Sequence, residues 1–117
     1  MLTISQELIK YKGLQISPTE IEAILVSQEQ ILDAAVIGIP DPNLPGNEIP
    51  RAFVVRKGGQ HPITVEEINR LVNDQLSAHK RLRGGVEFID QVPRNPSGKI
   101  LRRALRDRQV LKRQVKL

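Results

Sequence analysis

A chain of 117 residues has room for one domain with a single modest core, and with only 3% aromatic residues that core must be aliphatic. The absence of cysteine excludes disulfides and thiolate metal sites. No apolar run approaches the roughly 20 residues that cross a bilayer, and no signal-peptide pattern opens the chain, so we expect a cytoplasmic protein with no membrane partner.

The positive charge is concentrated at one end of the chain. Residues 1–98 hold 10 Lys and Arg against 12 Asp and Glu, a net charge of −2, whereas residues 99–117 hold 8 against 1, a net charge of +7. A basic tail of this kind is typical of a solvated helix face. Because no aromatic stacking platform or nucleic-acid-binding motif accompanies it, we expect no nucleic-acid partner.

The first elements are a hairpin and a helix. Residues 8–11 and 14–16 flank Lys12-Gly13, a pattern typical of a short β-hairpin. A helix start follows at Ser17-Pro18, with the Ser as N-cap, the Pro as first helical residue and Glu20 as the acid of a capping box.

Three strands and a second helix follow. Residues 31–39, 49–56 and 86–89 are rich in β-branched residues and predict strands. Residues 64–67, TVEE, predict a second capping box, and the helix that it opens has an apolar stripe at helical spacing.

The tail, residues 100–117, predicts an amphipathic basic helix that opens at Lys99. Its apolar positions share one face, and Arg102, Arg103, Arg106 and Arg113 are assigned to the solvated side. The order of elements predicts one α+β domain over residues 1–117, with helices packed on a small, mainly antiparallel sheet and a short N-terminal β-hairpin.

Residues 93–99, PRNPSGK, are the most informative segment. Glycine lets a backbone approach a ligand closely and lysine supplies a mobile positive charge, so the segment resembles a phosphate-handling turn. It is not a Walker A loop, because the earlier glycine and the Ser or Thr after the lysine are missing. A turn of this composition is usually structural when it stands alone.

Its surroundings resemble a known family. Residues 88–103, FIDQVPRNPSGKILRR, are similar to the closing signature of the adenylate-forming superfamily of acyl-CoA synthetases, 4-coumarate–CoA ligases, beetle luciferases and peptide-synthetase adenylation domains. Residues 7–22, ELIKYKGLQISPTEIE, resemble the segment that opens the family's C-terminal lid domain. Residues 80–86, KRLRGGV, resemble the 4-coumarate–CoA ligase and luciferase version. The resemblance covers residues 6–110 in the family's order and spacing.

The resemblance implies a two-step reaction in which a carboxylic acid and ATP form an acyl-adenylate, and the thiol of CoA then displaces AMP. The small domain rotates between the steps. The implied substrates are a small carboxylic acid, ATP with Mg²⁺, and CoA, and the implied partner is a large N-terminal adenylating domain. No tightly bound cofactor and no metal site are expected on this chain.

The resemblance also implies roles for individual residues. Lys99 matches the adenylation lysine, in a turn supported by Pro96, Ser97 and Gly98. The segment presented in the thioester step, which lines the CoA tunnel, is matched by Lys10, Tyr11, Lys12 and Gly13. Candidate contacts to the CoA nucleotide are Lys80, Arg81 and Arg83. Without the resemblance, both hairpin lysines are ordinary solvent-facing residues.

The sequence departs from the family at two places. Gln6 stands where the family has its hinge Asp or Lys, so residues 1–6 read as an altered or truncated hinge. Residues 46–50, GNEIP, carry one residue more than the commoner Gly-Glu-x-Pro. The ending, residues 115–117, is a poor match to a peroxisomal Ser-Lys-Leu signal and makes the peroxisome a weaker alternative to the cytoplasm.

Two alternative functions stay open. The lid could serve a carrier-protein pantetheine instead of free CoA, although the basic loop at residues 80–83 favours the phosphorylated nucleotide of CoA. Alternatively, the chain is a catalytically inert interaction module that docks through its basic tail. We expect the isolated chain neither to adenylate acids nor to form thioesters, and a large domain encoded immediately upstream would distinguish a fragment from a module. The residues that select the acid lie elsewhere.

Overall fold

The computed structural model describes the backbone of residues 8–115 and the side chains of residues 8–109, so Gln6 and the last two residues lie outside it. The elements in chain order are β1 Ile9–Tyr11, β2 Leu14–Ile16, α1 Pro18–Val26, β3 Ile31–Pro40, β4 Glu48–Arg56, α2 Val65–Gln75, a 3₁₀ turn Ala78–Lys80, β5 Val86–Phe88 and α3 Arg102–Val115. The predicted α+β class is confirmed. Among these residues no helix combines the length and apolarity needed to cross a membrane.

The predicted N-terminal hairpin is present. Strands β1 and β2 pair antiparallel, and Tyr11 stands opposite Leu14 across a two-residue turn. The turn residues Lys12 and Gly13 have φ of 50° and 78°, the pair of positive angles that a type I′ hairpin turn requires. A Cβ built on Gly13 would meet nothing within 4 Å, so within this domain the backbone angle, and not crowding, demands glycine.

The sheet has the order β3-β4-β5. Strands β3 and β4 pair antiparallel along almost their whole length, and the short β5 runs parallel to β4. Alternating side chains separate two buried clusters. One face packs against the hairpin, α1 and α2 through residues such as Ile16, Ile21, Val54 and Ile68, and the other packs against α3 through Leu105.

The two predicted capping boxes have different outcomes. In α2, Glu67 N–H donates to Thr64 Oγ1 at 3.2 Å and Thr64 N–H donates to Glu67 Oε1 at 2.9 Å, so that box is confirmed. In α1, Ser17 is the N-cap residue but its side chain makes no cap hydrogen bond. The prediction for Glu20 was wrong, because its carboxylate pairs instead with Lys80 of the 3₁₀ turn at 2.8 Å.

The tail helix α3 begins at Arg102, later than the sequence predicts. Leu101 N–H donates to Pro93 O at 2.9 Å, and Arg94 and Ile100 form an isolated β-bridge. The residues just before the helix are therefore held against residues 93 and 94. Leu105 is buried in the core as predicted. The assignment of Arg102 to the solvated face was wrong, since its side chain is only 12% exposed and pairs with Glu22.

Candidate functional site

The Lys99 turn, defined here as residues 94–99, is closed by its own hydrogen bonds. Asn95 Oδ1 accepts from the backbone N–H groups of Ser97 at 3.1 Å and Lys99 at 3.0 Å. Asn95 N–H in turn donates to Lys99 O at 2.9 Å, and Gly98 adopts φ of 93°. The backbone of Lys99 is therefore fixed. Its side chain is exposed, and its ammonium has no hydrogen bond or ion pair with the part of the chain that the structure describes.

Arg94 fastens the turn to β3. Its guanidinium donates two hydrogen bonds to the carboxylate of Asp33, from Nε to Oδ2 at 3.2 Å and from Nη2 to Oδ1 at 2.7 Å. The remaining Nη1 donates to Gly98 O at 2.6 Å. A bidentate arginine–carboxylate contact fixes direction as well as distance. Arg94 therefore links the turn to the strand.

A second arginine fastens the chain just after the turn. Arg102 Nη2 lies 2.9 and 2.8 Å from the two carboxylate oxygens of Glu22, and its Nε donates to Val36 O at 3.1 Å. Glu22 also accepts from Val36 N–H at 2.8 Å. Burial raises the pKa of Glu22 above its ordinary value, against the opposing effects of the Val36 hydrogen bond and of the Arg102 charge.

The hairpin presents the residues predicted for the thioester step. Lys10 and Lys12 are exposed, whereas Tyr11 is buried to 7% exposure. Two cations lie near the Tyr11 ring, with Lys12 Nζ at 5.3 Å and the Arg83 guanidinium at 5.0 Å from its centroid. Arg83 is thus brought to the hairpin, whereas Lys80 of the same basic loop is engaged with Glu20.

The free edge of β1 is held by side chains that sequence reasoning did not single out. Lys10 N–H donates to Glu48 Oε1 at 3.2 Å, and Lys12 N–H donates to Asn47 Oδ1 at 2.6 Å. Gly38 of β3 makes room for this contact, because a Cβ there would stand 3.0 Å from Ile9 Cγ1 and 3.2 Å from Glu48 Oε1. The only signal in the sequence is the extra residue in GNEIP.

The two predicted sites lie at different ends of β3. The Lys99 turn is fastened at Asp33, and the hairpin packs beside Gly38, about 16 Å farther along the strand at about 3.3 Å per residue. One strand therefore supports both. No cluster of three or more metal-ligating side chains occurs within residues 8–109.

Comparison with known proteins identifies the family of this arrangement. The family model of the AMP-binding enzyme C-terminal domain matches residues 20–99, from α1 to the exposed lysine. The chain belongs to that family. A protein of Emericella nidulans named as an acyl-coenzyme A synthetase is 53% identical over 107 residues, which cover 92% of this chain and 19% of that protein. A 4-coumarate–CoA ligase of Humulus lupulus is 46% identical over 86% of this chain and 18% of its own length.

The solved structures agree with this AMP-binding C-terminal domain in fold. An acyl-CoA synthetase of Brucella canis superposes with a TM-score of 0.81 at 35% identity, over 96% of this chain and 20% of that one. The predicted resemblance to the 4-coumarate–CoA ligase branch is confirmed. The chain spans about a fifth of the length of the relatives that it matches.

Proposed function

We propose that this domain is the mobile C-terminal part of an ATP-dependent acid–CoA ligase, in which Lys99 serves the adenylation step and the hairpin serves the thioester step. The observation that carries the proposal is the contrast at Lys99, whose backbone is fixed on both sides while its ammonium is exposed and unpaired within the described structure. A surface lysine without a function does not require a fixed backbone. A cation that must contact a phosphate in one geometry requires one.

In the first step, a carboxylate oxygen of the acid attacks the α-phosphorus of ATP. The bond from that phosphorus to the bridging oxygen breaks, and pyrophosphate leaves with its Mg²⁺. The Lys99 ammonium stabilises the negative charge that two anions bring to one place, which is the usual way that phosphoryl chemistry is accelerated. The partner that holds ATP is the large N-terminal domain proposed here.

In the second step, the thiol of CoA attacks the acyl carbonyl of the adenylate and AMP leaves. The exposed Lys10 of β1 and the side-chain-free Gly13 of the adjoining turn suit close passage of the pantetheine arm. Arg83 and Lys12, both close to the Tyr11 ring, supply positive charge for the phosphates of the nucleotide. This second cation at the hairpin favours free CoA over a carrier-protein pantetheine.

The first prediction tests the division of work between the turns. With the domain joined to its large N-terminal domain, Lys99→Ala should lower carboxylate-dependent ATP–pyrophosphate exchange by about 10²-fold, the scale for removing one charge-stabilising donor. Formation of acyl-CoA from supplied acyl-adenylate should change little. Gly13→Val should show the reverse pattern, because it strains the hairpin turn and narrows the path of the thiol.

A matched control is Lys57→Ala, which removes an exposed lysine outside both turns and should leave both half-reactions unchanged. The proposal is wrong if Lys99→Ala slows both half-reactions equally, or if it leaves pyrophosphate exchange intact.

A further inference from the structure

We propose that Asp33 and Arg94 are positioning residues for adenylation, and that Asp33 acts through Arg94 to set where the Lys99 ammonium stands. This inference rests on the proposed role of Lys99 and extends it to a strand residue 66 positions earlier in the chain.

The geometry assigns Arg94 to the peptide group that precedes Lys99. The oxygen of that group, Gly98 O, accepts from Arg94 Nη1 at 2.6 Å, and its N–H, which belongs to Lys99, donates to Asn95 Oδ1 at 3.0 Å. Both polar atoms of one peptide plane are thereby held. Since the Cα of Lys99 lies in that plane, the two hydrogen bonds fix the point from which the side chain starts.

Asp33 fixes Arg94 because Asp33 itself cannot move freely. It lies on β3 beside a register irregularity between residues 31 and 33, and its side chain is 28% exposed. Besides the two bonds from Arg94, its Oδ1 accepts from Ala34 N–H at 2.9 Å. Bulges of this kind redirect side chains, and here the redirected carboxylate meets the guanidinium.

The following segment is held to the same strand. Arg102 bonds Val36 O and Glu22, so the chain on both sides of Lys99 is fastened to β3, at positions three residues apart. The contacts of Arg94 end on β3, and those of Arg102 end on β3 and on α1. The backbone from which the Lys99 side chain extends is therefore tied to the body of the domain.

A positioning role differs from direct catalysis in a testable way. Arg94 is a cation with a 38% exposed side chain and could touch a phosphate itself, whereas Asp33 is an anion that a phosphate would repel. If Arg94 acted directly on ATP, Arg94→Ala would lower adenylation further in a Lys99→Ala background, because a second contact would be lost. If the pair acts by holding the turn, Asp33→Asn must impair adenylation.

The experiment is a mutant cycle on the polypeptide that joins this domain to its large N-terminal domain. Asp33→Asn and Arg94→Ala should each lower pyrophosphate exchange about 10-fold through kcat, since a misplacement near 1 Å costs up to about 10²-fold. The double variant should be no slower than Arg94→Ala, because both changes remove one interaction. Thioester formation from supplied acyl-adenylate should stay within about 2-fold.

Two further variants separate positioning from a general loss of structure. In a Lys99→Ala background, Asp33→Asn should cause no additional loss, since there is no ammonium left to place. Arg108 lies on the same helix as Arg102, and its half-exposed side chain pairs with Glu87 of β5 at 2.7 Å; Arg108→Ala should leave both half-reactions unchanged. Asp33→Asn is nearly isosteric, so it carries the test if Arg94→Ala fails to fold.

The inference is overturned if Asp33→Asn matches the unmodified protein in pyrophosphate exchange, if the losses of the single variants multiply in the double variant, or if thioester formation falls equally. Loss of adenylation in Lys99→Ala together with full activity in Asp33→Asn overturns the positioning role alone. Full adenylation in Lys99→Ala overturns the proposed function itself.

Discussion

The Lys99 turn and the hairpin turn share one design and differ in how each is fastened. Each carries a lysine beside a glycine with positive φ, and each is held by side chains from elsewhere in the chain. Two arginine–carboxylate pairs hold the Lys99 turn, whereas oxygens of Asn47 and Glu48 that accept from backbone N–H groups hold the hairpin.

Under the roles proposed for the two turns, the difference indicates that positioning a charge and shaping a path need different supports. A lysine that must reach a phosphate needs its base fixed in direction, and the planar guanidinium does this at long range across the sequence. A turn that lets a slender arm pass needs its backbone held close to the body, and a short amide side chain is enough. Variants that weaken the contacts of one turn and leave those of the other intact test this difference.

The largest effect is expected at the buried pair. Glu22→Ala leaves the guanidinium of Arg102 without its carboxylate in a site where both side chains are at most 12% exposed, so we expect a loss of about 3 kcal/mol in the free energy of unfolding. Chemical denaturation of the chain measures this. The matched control is Glu20→Ala, which removes a more exposed carboxylate of the same helix and should cost less than about 1 kcal/mol. Equal losses in the free energy of unfolding of the two variants would contradict the larger contribution expected from the buried pair.

A smaller effect is expected at the hairpin. Asn47→Ala removes the acceptor for Lys12 N–H and should destabilise the chain by about 1 kcal/mol, with faster hydrogen exchange at the Lys12 amide. Asn43→Ala, an exposed asparagine in the same loop, serves as the control. Unchanged exchange at Lys12 in Asn47→Ala would show that β1 and β2 hold the turn without help.

The smallest effect is a pH dependence of the free energy of unfolding, which we expect from Glu22, the partner of Arg102. Because burial raises the pKa of Glu22 above its ordinary value of 4.5, the folded state holds that proton more tightly than the unfolded state. Its contribution to stability is therefore complete below the ordinary value and is lost as pH rises through the raised one. Glu22→Gln does not titrate, so the stability of the unmodified chain relative to this variant should fall across that window; a flat or rising difference contradicts the direction of the shift.

Local patterns predicted the hairpin, the strands and the capping box of α2 because these depend on residues close in sequence. The same reasoning chose Glu20 for a cap because of its spacing from Ser17, and placed Arg102 on a solvated face by helical periodicity. Both predictions were wrong because the true partners, Lys80 for Glu20 and Glu22 for Arg102, are 60 and 80 positions away in sequence. Local periodicity carries no information on such distant partners.

The candidate site shows the same division. Family resemblance led to Lys99, the hairpin and the basic loop, and it drew attention to the extra residue at Asn47 without giving it a task. Asn47 accepts a hydrogen bond from Lys12 N–H because the loop before β4 lies beside β1, and only the folded chain shows this proximity. The roles of Lys99 and the hairpin in the two half-reactions, the hinge at Gln6 and the cytoplasmic location stay predictions.

The arginine contacts on β3 have a consequence for association between chains. β3 is an outer strand of its sheet, and an outer strand with unpaired N–H and C=O groups invites a strand from another molecule. Here Val36 N–H is taken by Glu22 and Val36 O by Arg102, so that position cannot template a neighbour. A variant that removes the Arg102 hydrogen bond to Val36 O would therefore expose unpaired backbone groups on the edge of the sheet. We expect such a variant to precipitate at high concentration.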